Sequence, residues 1–199
     1  MQQIGQIIKQ NSVGLQSRNR LQDSSLKMAI VRRYGELGQL MTRFNPDAQG
    51  SMATNIVQTI MGDYPTLAKL KWYGENVPKA WLLPQLYDLS EFCGCKEKLQ
   101  GRPLEQCADV IATTWHYLKV SELMMFFYRF KTGKYGTFYG NVDPLVITTS
   151  LAEFVKERNT EIDLIEQEQR KQQLEESLKN SITYEEWQKV KQQKQEKTK

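Results

Sequence analysis

Between Leu21 and Phe44 the apolar residues Leu26, Ile30, Leu37, Leu40, Met41 and Phe44 return at spacings near three, four and seven, which aligns them along one side of a helix. Asn45-Pro46-Asp47 is expected to stop it, since a proline disfavours helical angles in the residue before it. Ser51 is placed to cap a short helix running to Met61, and Gly62-Asp63-Tyr64-Pro65 breaks the chain before another short turn over 66–72. After a break from Gly74 to Pro78, the segment Lys79 to Phe92 carries Trp81, Leu82, Leu86, Leu89 and Phe92 at helical spacing, predicting a buried face. Pro84 must then lie in the first turn or make a kink. Pro103 opens the next helix, in which Leu104, Cys107, Val110, Ile111 and Trp115 keep the same period to about His116.

Ser121 reads as the N-cap of a helix over 122–131, where Leu123, Met124, Phe126, Phe127 and Phe130 cover most of the circumference. Such all-round apolarity implies deep burial or a partner surface. Asp143-Pro144 restarts the helix, and Leu151, Val155, Arg158, Ile162 and Ile165 then alternate by four and three as in a coiled-coil seam. Beyond Ile165 the sequence turns to Glu, Gln and Lys, with a second capping pattern at Thr183-Tyr-Glu-Glu186 and Trp187 as its one strong anchor. The expectation is an all-α fold: a bundle of six or seven helices over 21–155, a loose N-terminal arm over 1–20, and a charged helical tail over 156–199.

One segment departs from this helical pattern. Lys131 to Pro144 packs three glycines and three aromatics between two helices, the composition of a shaped turn that holds or presents something. Its candidate partner-binding residues, with the helix end that leads into it, are Phe127, Phe130, Lys131, Gly133, Lys134, Tyr135, Gly136, Phe138 and Tyr139. Two readings compete. The aromatics fill the groove between the flanking helices, or they face outward, where Tyr135, Phe138 and Tyr139 would stack on nucleic-acid bases or meet a protein. A nucleotide-binding phosphate loop is excluded, because Tyr128 and Tyr135 stand where Gly133-Lys134 would need a glycine before it and a Ser or Thr after it.

Charge adds a second candidate. Residues 1–50 hold seven Lys/Arg against three acids, so the formal net charge of +4 is carried there and the remainder balances at 20 against 20. Arg18, Arg20, Lys27, Arg32 and Arg33 are therefore the alternative nucleic-acid-binding set, with an ordinary solvated helix face as the competing reading. Three cysteines without a secretory signal imply reduced thiols and a cytoplasmic setting, and no apolar run is long enough to span a membrane. Cys93, Cys95, Cys107 and His116 are formally sufficient for tetrahedral zinc, but their spacing is not a standard one and no cofactor is expected. The carboxylates Glu157, Glu161, Asp163, Glu166 and Glu168 read as a solvated helix face rather than an acid-base pair.

The run Lys119 to Gly140, followed by Ile147-Thr-Thr-Ser-Leu-Ala-Glu-Phe154 and Glu157-Arg-Asn159, resembles uncharacterised small helical proteins of bacterial prophages and mobile elements. The shared pattern is an aromatic helix, a Gly-Lys-Tyr-Gly turn, and a helix reaching Glu-Arg. It touches Phe127, Phe130, Gly133, Tyr135, Gly136, Tyr139, Glu157 and Arg158, and supplies no catalytic residue. The resemblance implies, by analogy with phage replisome organisers and helicase loaders, a non-enzymatic adaptor that binds a replicative helicase or other replication protein. Direct DNA binding through the basic first helix is the alternative, and a purely structural role the third.

Overall fold

The computed structural model describes residues 25–180, and all the regular structure in them is helical. The first helix, α1, covers 25–34; α2 (Leu37–Arg43), a 3-10 turn (Pro46–Ala48), α3 (Gln49–Thr54), α4 (Ile56–Met61) and α5 (Leu67–Leu70) follow. The longer helices are α6 (Val77–Phe92), α7 (Gly101–Thr114), α8 (Val120–Lys131) and α9 (Pro144–Asn180). Among the described residues no helix is long and apolar enough to cross a membrane. The arm over 1–20, with Arg18 and Arg20, and the capping pattern at Thr183 with Trp187 lie outside the described residues. The chain divides into two units, Met1–Val155 and Lys156–Lys199.

In the first unit, α8 is the spine. Every residue from Val120 to Phe127 is buried, and Phe130 is only 3% exposed, because α3, α4 and α6 pack around it and the start of α9 adds Ile147, Leu151 and Phe154. The all-round apolarity of this helix therefore reflects a core, and burying its four-residue aromatic and methionine run, Met124 to Phe127, contributes about 1.5–3 kcal/mol per side chain. Two polar residues are buried in the same helix, each for a reason. The Ser121 hydroxyl donates to the Thr59 carbonyl at 2.8 Å, so it ties α8 to α4 instead of capping its own helix as expected. Lys119 is the N-cap, its amide donating to the Glu122 carboxylate at 2.8 Å, while its ammonium donates to the carbonyls of Ile60 and Gly62 at the end of α4.

The expected single helix from Leu21 to Phe44 is interrupted at Gly35, where φ is +89° and the chain turns before α2. Likewise the predicted Ser51-to-Met61 helix is two helices, and Asn55, not Ser51, caps the second by accepting from Gln58 N. Pro84 stands in the interior of α6 on an exposed face, so the Ala80 carbonyl that loses its helical donor is open to water. On the buried side of α6, Trp81 Nε1 and Gln85 Nε2 both donate to the Phe44 carbonyl at 2.9 Å, and Gln49 Nε2 donates to Gln85 Oε1 at 2.6 Å. This buried polar network fastens the end of α2 to α6.

Candidate functional site

The loop after α8 starts from a helix end that glycine makes possible. Gly133, at φ +80°, donates to the Phe130 carbonyl at 2.9 Å and lets the next amide, of Lys134, return to Arg129 O at 3.3 Å, closing the last turn. Gly136 and Gly140 also have positive φ, in the left-handed region that glycine enters without strain. Its aromatics then divide. Tyr135 packs 5.7 Å from the Phe126 ring and 6.1 Å from Phe130, and Phe138 stacks on Phe130 at 5.3 Å with planes 20° apart. Tyr139 points the other way and is 89% exposed.

The loop is also fastened at its far end. Glu97 N donates to Gly140 O and Val142 N to Glu97 O, both at 3.2 Å, a parallel bridge that joins it to the segment following α6. That segment is itself held: Leu99 N donates to Ser90 Oγ at 2.8 Å, Leu99 is buried, and Lys98 pairs with Glu91 at 2.5 Å. Tyr139 thus projects from a turn anchored by two rings and two backbone bonds.

Beside it lies a cavity of about 180 Å³ lined by Phe92, Cys93, Phe130, Lys131, Gly133, Gly136, Thr137 and Phe138. Its charged wall is an ion pair. The Lys131 ammonium contacts the Asp88 carboxylate and lies 5.6 Å over the Phe92 ring. Burial pushes the Cys93 thiol above its ordinary range, with Cys95 adding to the shift and Lys131 opposing it. The wall from the end of α6, Phe92 and Cys93, and the Asp88 carboxylate that pairs with Lys131 lie outside the expected partner-binding set. The helical spacing predicts Phe92 on the buried face with Trp81, Leu82, Leu86 and Leu89; those four are buried, whereas Phe92 is 61% exposed. The signal that could have found it is position, since the last turn of a helix opens where the chain leaves the core.

The expected partner-binding set is therefore split by depth. Phe127 is wholly buried in the core, Phe130 is the cavity floor, and Tyr135 and Phe138 are half-buried braces. Gly133, Lys134, Gly136 and Tyr139 form the exposed part, with half-buried Lys131 at the edge.

The zinc set does not assemble. Among the described residues no group of three or more His, Cys, Asp or Glu could hold a metal ion. Cys93 and Cys95 follow α6, whereas Cys107 is buried inside α7 with its thiol pushed up to about 12 by burial alone. His116 lies in the turn after α7, its Nδ1 3.1 Å from the Thr113 carbonyl. A thiol held so firmly protonated is a poor nucleophile.

On α1, Lys27 and Arg32 are exposed, but Arg33 is committed to Asp63 at 2.5 Å. Tyr34 donates to the same carboxylate at 3.0 Å, and Lys69 donates to the Tyr34 hydroxyl at 3.1 Å. The hydrogen bond from Arg33 chiefly holds Asp63 below the usual carboxylate range.

The fold and loop place the chain among all-α proteins. Over residues 102–198, from the first turn of α7 through the loop and α9, it is similar to a family of unknown function, DUF6633. Neither the curated proteins nor the solved structures give a match. The matched part includes Tyr139 and the loop; the cavity wall from α6 lies before it.

Proposed function

We propose that this protein is a non-enzymatic adaptor of phage or mobile-element DNA replication, and that it docks a replicative helicase or another replication protein on the face formed by Tyr139 and the adjoining cavity. The observation that carries the reading is the division of the loop aromatics: two are spent on fixing the turn, and the third is presented to solvent at 89% exposure. A tyrosine held on a braced turn offers contact area at little entropic cost, which is why Tyr is enriched at binding hot spots. A cavity of about 180 Å³ is smaller than the roughly 300–1,000 Å³ of small-molecule sites, and suits one apolar side chain of a protein partner. The lysine on its wall is held in an ion pair with Asp88, and burial raises its thiol above the ordinary range.

The test is capture of the purified replicative helicase of the host on immobilised protein. Tyr139→Ala and Phe92→Ala should each abolish capture while leaving the helical circular dichroism unchanged. Capture that survives both substitutions rejects the reading. Direct DNA binding is the second reading, favoured by the exposure of Lys27 and Arg32 on α1. It requires affinity that falls steeply with salt and is lost in Lys27→Glu with Arg32→Glu, and capture of the helicase by that variant separates the two.

A further inference from the structure

The second unit carries a helix face that the docking site does not use. From Thr160 onward, the residues Thr160, Leu164, Gln167, Lys171, Leu174 and Leu178 follow one another at intervals of four and three, the a/d ladder of a heptad repeat. All six are exposed, and the leucines are 60%, 61% and 64% exposed. This ladder runs along a different side of α9 from the Leu151-to-Ile165 series. We infer that it is a dimerisation seam, and that its occupant is the same helix of a second copy of this chain, parallel and in register.

Self-complementarity selects that occupant. In parallel register each layer meets its own counterpart: leucine meets leucine at three layers, threonine meets threonine, and Gln167 meets an amide that both donates and accepts. Arg170 then faces Glu175 of the second copy on both sides, although Asp163 faces Glu168 unfavourably. The antiparallel arrangement keeps leucine against leucine only between Leu164 and Leu174, and its one gain is that the two lysines no longer meet. It sets Thr160 against Leu178 and Gln167 against Lys171, and brings Glu168 against Glu168 and Arg170 against Arg170. Lys171 is the one core layer that opposes pairing in parallel, and a single lysine at an a position fixes register at a cost in stability. The dimer is consequently weak and concentration-dependent. Within each helix, Arg170 to Glu166 at 3.0 Å and Gln172 to Glu168 at 3.1 Å support the helical state that pairing needs.

Sedimentation equilibrium on the full chain tests this. The mass should rise with concentration from 23.2 kDa toward twice that value, and Lys171→Leu should shift the rise to lower concentration. Leu174→Asp with Leu178→Asp should hold the single-chain mass. A concentration-independent single-chain mass in both the unaltered protein and Lys171→Leu overturns the inference, as does a dimer that survives the double aspartate variant. Under mild oxidation Leu178→Cys should form a disulfide with its own counterpart, identified by peptide mass. A dimer that does not form it overturns the parallel register.

Discussion

At the scale of single residues, chemistry here is decided by whether an ionisable group has a partner or only burial. Asp63 has partners: Arg33 and Tyr34 both donate to its carboxylate, and its proton affinity falls. A carboxylate whose folded pKa is depressed contributes stability above its unfolded pKa of about 3.9 and loses it as pH falls through the folded value. The urea midpoints of the native chain and Asp63→Asn should therefore differ by a constant amount near neutrality and converge below about pH 4. A gap that persists unchanged into strong acid would show that Asp63 acts through packing. Salt should narrow the gap, because both side chains of the pair are more than half exposed. Cys107 shows the effect of burial, which raises its thiol to about 12. Alkylation at mildly alkaline pH should mark Cys93 and Cys95 in the folded protein and reach Cys107 only after unfolding; labelling of native Cys107 at the same rate would contradict its placement.

At the scale of elements, periodicity located most of the helices, because the buried face of α6 repeats at the spacing that burial demands, while α8 stood out by its continuous apolar run. What it could not locate were the ends, which depend on single residues answering to distant ones. Ser121 had the composition of a cap and is instead a tertiary donor to Thr59, while Lys119, an unlikely cap by type, begins α8 because its ammonium reaches the end of α4. Gly35 is a similar case. Within an apolar period it looks like a tolerated helical glycine, yet it turns at φ +89° and its carbonyl accepts from Tyr73 at 2.6 Å. An alanine there would meet left-handed strain of about 1–2 kcal/mol. Its Cβ would also stand 2.8 Å from Gln39 Oε1, which accepts from Glu36 N in the capping box of α2. Gly35→Ala should thus lower stability by at least about 1 kcal/mol in urea denaturation, and a neutral result would mean that α1 can dock without this turn.

At the scale of the whole molecule, the sequence announced the loop but not its division of labour. Tyr135, Phe138 and Tyr139 are chemically alike and closely spaced, so only the course of the backbone through Gly133 and Gly136 decides which rings return to Phe126 and Phe130. The cavity wall and its ion pair were equally hidden, since Phe92 and the Asp88 that pairs with Lys131 are remote from Lys131 in sequence and meet it only after α6 packs on α8. This division separates stability from binding in a measurable way. Phe126→Ala should cost about 3–5 kcal/mol as a core truncation, and Phe138→Ala about half of that because its ring is half-buried. Tyr139→Ala should remain within about 0.5 kcal/mol of the native chain, as expected for a surface position. If the loop is a presenting device, Tyr139→Ala loses helicase capture with an unchanged unfolding midpoint, while Phe138→Ala loses both because the turn slackens. A Tyr139→Ala protein as destabilised as Phe138→Ala would place that ring in the core, and the loop would then close the bundle and present nothing.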